Sequence, residues 1–263
     1  MNFTKNILSK VLFYFLTFFV LLSCNKAVKK SENKTNKDIV LNQNFPSELG
    51  KVFTKHGGID SWKKAQILSF NKGVEVHTVD LHSRKTVINT PEYSLGYNGK
   101  EVWLDEEKKG AYKGNPAFYY NLFFYFYAMP FVLADDGISY EKVNDLVFEG
   151  VNYPGYKISY NANKGTSPDD NYIIYYNPET YQMEWLKYTV TFKSKKPSDS
   201  YNIIKYGKWE NVNGLLFPKE ITWYQKDDKG IPTIPRGNSV EFTLPLISQG
   251  QLADSFFEKP IVE

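Results

Sequence analysis

The apolar residues of this chain follow two different periods, one before residue 67 and one after it. In residues 46–56, Leu49 and Phe53 recur at the four-residue spacing of an amphipathic helix. The pair Gly57-Gly58 that follows is a typical helix stop. The sequence therefore predicts a short helix over residues 46–56, with a second turn after it that contains Trp62.

From residue 67 onwards most segments alternate apolar and polar residues, as half-buried strands do. In residues 183–192, for example, Leu186, Tyr188 and Val190 alternate with lysine and threonine. Asn-Gly pairs at 98–99 and 213–214 separate such segments and mark two-residue hairpin turns. The pattern predicts roughly ten strands with short connections, and an antiparallel sheet of that size curls.

Residues 117–134 interrupt this pattern with 18 residues that carry no charge, AFYYNLFFYFYAMPFVLA. Asn115 and Pro116 suit the cap and the first position of a helix, and Pro130 ends or restarts it. The length approaches that of a membrane span, but four tyrosines, Asn121 and Pro130 favour burial inside protein. The segment is therefore predicted to be a helix over residues 117–128 that lies inside the curved sheet.

The N-terminus has the features of an export signal. Lys5 and Lys10 precede an apolar run at residues 11–22, which is short for a membrane span and is followed by Ser23 and Cys24. The tetrapeptide that ends at Cys24, Leu-Leu-Ser-Cys, resembles the lipobox of bacterial lipoproteins, where a peptidase cuts before the cysteine. The chain has no other cysteine, so no intrachain disulfide can form. Lipidation at Cys24 is predicted; the alternative is an ordinary secreted protein with an incidental cysteine.

These signals divide the chain into a lipoprotein signal peptide (1–23), a flexible tether (24–43) and one domain (44–263). The tether is polar and rich in lysine and asparagine, as disordered segments are. The chain has 32 Lys and Arg against 29 Asp and Glu, and removal of the signal removes two lysines and no acid. The mature chain is then near neutrality, which argues against a nucleic-acid partner.

Chemistry-bearing residues give no pattern of an active site. His77, Asp80 and His82 are too few for a metal site, and strand alternation places His77 opposite the other two, so all three are predicted at the surface. His56 at the end of the first helix is predicted to cap it rather than to catalyse. No Gly-x-Ser-x-Gly elbow, phosphate-binding glycine loop or His-Glu-x-x-His motif occurs. The prediction is a protein without enzymatic activity, cofactor or metal.

Four motifs carry a resemblance to a known group of proteins. In chain order they are His56-Gly57-Gly58 with Trp62, Met129-Pro130-Phe131-Val132-Leu133, Tyr175-Tyr176-Asn177-Pro178-Glu179-Thr180, and Val212-Asn213-Gly214-Leu215-Leu216-Phe217-Pro218. The ordered set, over about residues 44–260, resembles uncharacterised lipoproteins of Gram-negative bacteria. These are similar to the superfamily of the lipoprotein carriers LolA and LolB. The arginine with which LolA retains its cargo has no counterpart in a matching motif here.

The resemblance implies a fold class and a site. The expected fold is mainly β (α+β), a large curved antiparallel sheet that forms an unclosed barrel with two or three helices plugging its concave side. That barrel would enclose a hydrophobic cavity for acyl chains. The residues predicted to line the cavity are Phe118, Leu122, Phe123, Phe126 and Met129.

Two functions remain open at this point. One is a binding module that holds a lipid or other hydrophobic ligand, and the other is an interaction or scaffold lipoprotein with a filled core. In both functions the N-terminal lipid anchors the protein to the membrane. The sequence does not identify a protein partner. Asn25 and the lack of an acidic run after Cys24 predict an outer-membrane location with the domain facing the periplasm.

Overall fold

The computed structural model of the chain describes residues 45–160 and 170–261. The predicted signal peptide (1–23), the lipidation site Cys24 and the predicted tether (24–43) lie outside the described residues. Residues 44–263 group into one compact unit.

Two helices begin the described part of the chain, where the sequence predicts them. Helix α1 (Ser47–Lys55) buries Leu49, Val52 and Phe53, the apolar stripe of its sequence. Helix α2 (Ile59–Lys64) buries Ile59 and Trp62.

Strands make up most of the remaining structure, and all pairings between them are antiparallel. The fourteen strands in the described residues are β1 (Ile67–Lys72), β2 (Glu75–Asp80), β3 (Thr86–Asn89), β4 (Tyr93–Tyr97), β5 (Val102–Glu106), β6 (Ile138–Phe148), β7 (Val151–Tyr160), β8 (Asn171–Tyr176), β9 (Met183–Tyr188), β10 (Asn202–Val212), β11 (Leu215–Lys226), β12 (Pro232–Pro235), β13 (Val240–Glu241) and β14 (Thr243–Ser248).

The strands form a curled, half-barrel layer. One run has the order β14-β1-β2-β3-β4-β5, and the other has the order β12-β11-β10-β9-β8-β7-β6, with β13 also paired to β11. Only Phe242 separates β13 from β14, so the chain passes directly from one run to the other. The buried Phe242 donates its N–H to the carbonyl of Lys219 at 2.8 Å. The predicted fold class, a mainly β protein with a curved antiparallel half-barrel and few helices, is confirmed.

The aromatic segment lies against the concave side of this layer, but it is not the continuous helix that the sequence predicts. It forms α3 (Pro116–Tyr119), α4 (Leu122–Tyr127) and a 3-10 turn at Phe131–Ala134. Asn115 caps α3 as predicted, its side chain accepting two backbone N–H groups. A second asparagine, Asn121, is the N-cap residue of α4 and interrupts the helix. In the described residues no helix is both long and apolar enough to span a membrane.

Aromatic packing fills most of the concave side. The ring of Tyr127 stacks on Phe70 of β1 at 4.2 Å and on Phe217 of β11 at 5.1 Å. The 3-10 turn contributes Phe131, whose ring stacks on Trp62 of α2 at 4.9 Å. These side chains are buried. Both runs of strands therefore pack on the same aromatic segment, which joins them into one core.

Candidate ligand-binding site

A cavity of about 80 Å³ lies beside α3 and α4 and is partly open to solvent. Its other wall comes from the ends of β7, β8 and β9 and from the chain that follows β9. The lining residues are Ala117, Phe118, Asn121, Leu122, Tyr125, Phe126, Tyr160, Asp170, Tyr172, Tyr188, Thr189, Val190 and Phe192.

Three of the five residues predicted to line a cavity border this one. Phe118, Leu122 and Phe126 recur every four residues and face it together. Phe123 does not line it; its ring packs instead near Phe242 at 6.4 Å. Met129 is fully buried in the core and is also not part of the lining. One helix step of about 100° separates Phe123 from Leu122, and this rotation turns Phe123 towards the other run of strands.

Tyrosines that the sequence analysis did not single out complete the wall. Tyr160, Tyr172 and Tyr188 come from β7, β8 and β9, and Tyr125 comes from α4. Burial raises the pKa of Tyr160 and Tyr172 well above the ordinary value, so these phenols stay neutral. The Tyr188 hydroxyl accepts a hydrogen bond from the indole of Trp223 at 2.8 Å. The helical side of the cavity is therefore mostly apolar, with the polar side chains of Asn121 and Tyr125 at its edge, and the strand side carries three phenol groups.

The size of the cavity restricts what it can hold. Its volume of about 80 Å³ is about half of the roughly 150 Å³ of an engineered apolar cavity that binds benzene. In this conformation it accommodates one short apolar group rather than a complete acyl chain. A longer chain requires either the open side of the cavity or a displacement of α3.

A half-buried carboxylate holds α3 in its position. The Tyr119 hydroxyl of α3 lies 2.9 and 2.8 Å from the two carboxylate oxygens of Glu75 on β2 and donates to them. Tyr93 donates to the same carboxylate at 3.2 Å. Lys72 and His77 each place a nitrogen 3.0 Å from it. Burial alone raises the pKa of Glu75, but the hydrogen bonds from His77, Tyr119 and Lys72 outweigh it and lower the pKa to about 2.

The low pKa of Glu75 predicts how stability depends on pH. Because the folded state lowers this pKa from its ordinary 4.5 to about 2, the stabilisation is complete above pH 4.5 and disappears as pH falls towards 2. We expect Glu75→Gln to lower the free energy of unfolding by about 3 kcal/mol at pH 7 and by roughly half as much near pH 3. Urea melts at both pH values measure this. Glu92→Gln, at an exposed glutamate, is the control, and an equal loss at both pH values would contradict the prediction.

Two residues of β2 that were predicted at the surface, His77 and Asp80, are buried in the structure. His77 is fully buried, its ring stacked on Phe70 at 4.8 Å, and burial lowers its pKa. Asp80 is also buried, and its carboxylate accepts the backbone N–H groups of His82 and Ser83 at 3.0 and 2.8 Å. Of the three, His82 is exposed as predicted. No group of three or more His, Cys, Asp or Glu side chains able to hold a metal ion occurs within residues 45–160 and 170–261.

His56 ends α1 as predicted, but its ring does not act as a cationic cap. The ring is buried, and its Nε2 accepts the backbone N–H of Met183 on β9 at 3.1 Å. Burial lowers the pKa of His56 to about 4, so the ring is neutral at pH 7. It packs edge-on to Trp209 at 4.4 Å. The imidazole therefore joins α1 to the sheet through a neutral hydrogen bond.

Two of the sequence motifs meet at this end of α1. The carbonyl of His56 accepts the N–H of Leu216 at 2.9 Å, immediately after the Asn213-Gly214 turn. Gly57, with a φ of +108°, lies directly against the backbone of Gly214. The resemblance motifs at 56–58 and 212–218 thus form one backbone junction between α1 and the β10–β11 hairpin.

Comparison with known proteins gave structural relatives of low identity. A LolA superfamily protein from Nitrosomonas europaea matches with 7% identity and a TM-score of 0.38, over 79% of this chain and 96% of its own. A DUF1329 family protein from Desulfovibrio piger matches with 11% identity and a TM-score of 0.38, over 79% and 95%. A domain from Vibrio parahaemolyticus assigned to outer-membrane lipoprotein sorting has 8% identity and a TM-score of 0.35, over 81% and 97%.

No curated protein matches the chain. At the level of sequence, the model of one family, described as a family of unknown function (DUF6503), matches residues 10–234. Since this match covers most of the sequence, the chain belongs to the DUF6503 family.

Proposed function

We propose that this protein is a lipoprotein of the outer membrane, anchored through Cys24, whose periplasmic half-barrel binds the apolar part of a lipid or other hydrophobic ligand. The observation that carries the proposal is the open cavity beside α3 and α4, with Phe118, Leu122 and Phe126 on one side. Ligand sites are usually concave and mostly apolar, with a few polar groups that set orientation. The proposal includes no catalytic step and no cofactor.

The mouth of the cavity exposes apolar surface that a ligand would cover. The ring of Phe118 packs against Phe192 at 5.2 Å across this mouth. Val190, in the same segment, is 42% exposed. Helix α3 is a single turn that buries none of its residues. A shift of α3 that enlarges the cavity would therefore cost little buried apolar surface, and its main cost would be the hydrogen bonds from Tyr119 to Glu75.

The alternative function, a scaffold lipoprotein with a filled core, is favoured by the aromatic packing described above. A cavity of about 80 Å³ is small, and the stacked rings around Tyr127 leave the centre of the domain closed. The two functions differ in one measurable property. The binding protein takes up an apolar ligand at this cavity, and the scaffold does not.

Filling the cavity tests the proposal. We expect Leu122→Trp to weaken the uptake of a fluorescent fatty-acid probe by at least about tenfold, because burial of one apolar side chain is worth about 1.5–3 kcal/mol and the indole would occupy that space. Leu122 is partly exposed, so little change in stability accompanies the loss. Fluorescence titration measures uptake, and urea melts confirm folding.

Phe123→Leu is the matched control, since it changes the neighbouring residue on the face of α4 that does not line the cavity. It should leave uptake unchanged. Native mass spectrometry of the purified wild type should also find co-purified lipid. Equal loss of uptake in both variants would place the ligand elsewhere, and no uptake by the wild type would leave the scaffold function.

A further inference from the structure

A second cavity, rich in hydroxyl groups, adjoins the apolar one. It has a volume of about 330 Å³ and is lined by Ser83, Arg84, Thr86, Tyr97, Tyr120, Asn121, Phe124 and Tyr125. Asn121 and Tyr125 line both cavities, so the two are neighbours separated by the start of α4. Both linings carry hydroxyl groups, but the second cavity also has a cationic side chain, that of Arg84, in its lining.

Arg84 supplies the positive charge of the second cavity. Its backbone has a φ of +62°, which is uncommon for a residue other than glycine. The turn that imposes this conformation is closed by a hydrogen bond from the Arg84 N–H to the carbonyl of Asp80 at 2.8 Å. The guanidinium then lies over the ring of Phe124, 5.2 Å from its centroid. The side chain is 29% exposed, so the charge is largely withdrawn from solvent.

The hydrogen bonds of this guanidinium are incomplete. Nη2 donates to Asp135 at 2.6 Å, whereas Nη1 is buried and has no hydrogen-bond partner. A buried donor on a charged group is costly when it has no acceptor. Burial raises the pKa of Asp135 even though Arg84 lowers it, so this ion pair compensates only part of the desolvation. An additional oxygen acceptor would satisfy the remaining Arg84 donor.

A guanidinium is suited to bind the oxygens of a carboxylate or phosphate. We propose that the hydroxyl-lined cavity at Arg84 binds the anionic head group of an amphiphile whose alkyl chain enters the cavity lined by Phe118, Leu122 and Phe126. The ligand class is then a single-chain amphiphile with a carboxylate or a phosphate head. This inference rests on the proposed function, because it assumes that the apolar cavity holds a chain.

Ligands that share one chain and differ in the head group test the inference. Calorimetric titration of the full-length protein with decanoate and decyl phosphate below their micelle concentrations, and with decanol below its solubility limit, compares the heads. We expect the better anion to bind at least about tenfold more tightly than decanol, the gain typical of a hydrogen bond to a charged group. The anion that binds more tightly identifies the head group. Equal affinity for decanol would overturn this inference and leave the proposed function intact, and no binding of any chain would overturn both.

Asp135→Asn is expected to strengthen anion binding, a gain that structural damage would not produce. It releases the guanidinium from its anionic partner, so the preferred anion should bind several-fold more tightly while decanol is unaffected. The double variant Arg84→Gln with Asp135→Asn keeps a neutral polar pair and should lose the preference for anions. Arg236→Gln removes the other arginine, which is exposed, and should change nothing. Weaker or unchanged anion binding by a folded Asp135→Asn protein would overturn the inference.

Discussion

Replacing Gly57 with alanine is expected to lower the free energy of unfolding by about 3 kcal/mol or more, because it combines backbone strain with a steric clash. At Gly57 φ is +108°, a conformation that disfavours residues with a Cβ. A Cβ at this position would overlap the carbonyl oxygen of Gly214 and lie 3.0 Å from the Cα of Leu215. Both neighbours are backbone atoms of a paired hairpin, so they cannot rotate away.

The adjacent glycine provides the matched control. Gly58 has a φ of +88°, and a Cβ there would meet no atom within 4 Å. Gly58→Ala therefore adds only the strain of positive φ, which is on the order of 1 kcal/mol. Urea melts of the two variants separate the clash from the strain. Equal losses in both would contradict the close contact between α1 and the β10–β11 hairpin.

Local sequence signals were sufficient for the hairpins and for the first helix. The Asn213-Gly214 pair forms the predicted two-residue turn between β10 and β11, whereas β4 and β5 are joined by the four residues 98–101, so the Asn98-Gly99 pair lies in a longer connection than predicted. These features depend on turn geometry and on side chains a few residues apart. The apolar stripe of α1 is likewise readable because one face of the helix is buried and the other is exposed.

Elements that depend on distant partners were predicted less well. The alternating pattern of residues 183–192 predicts a strand to its end, but β9 stops at Tyr188. Beyond it, Phe192 packs on Phe118 rather than in the sheet. Most side chains of β6 are not buried, so most of this strand shows little alternation of buried and exposed positions. The break between α3 and α4 places Tyr119 at Glu75, a contact over 44 residues that no local pattern encodes.

The same limit applies to the candidate site. The four-residue spacing of Phe118, Leu122 and Phe126 brings together the helical side of the cavity, and this spacing is visible in the sequence. Tyrosines in strands are common for reasons of packing, so their presence at positions 160, 172 and 188 carried no signal for a cavity. Arg84 gave no signal either, because its exposure and its unpaired Nη1 are properties of the folded domain.

The Cys24→Ala variant is expected to lose essentially all incorporation of labelled fatty acid, and any of it that is cleaved is expected to leave the membrane fraction. The predicted lipid would be attached at Cys24, and the chain has no second cysteine that could replace it. Without that anchor the protein should accumulate as uncut precursor or as soluble periplasmic protein, because the acyl chains that would hold it on the bilayer are not attached.

Ser23→Ala is the control for this result, since alanine keeps a small residue before the cleavage point and leaves Cys24 in place. It should be lipidated and fractionate with the wild type. Immunoblots of membrane and soluble fractions, together with fatty-acid labelling, distinguish the forms. A cleaved Cys24→Ala protein that stays fully in the membrane fraction would show that something other than the N-terminal lipid holds the domain there. The anchor would then have to be sought in the domain itself, where the exposed Leu244 and Leu246 of β14 would be the first residues to replace.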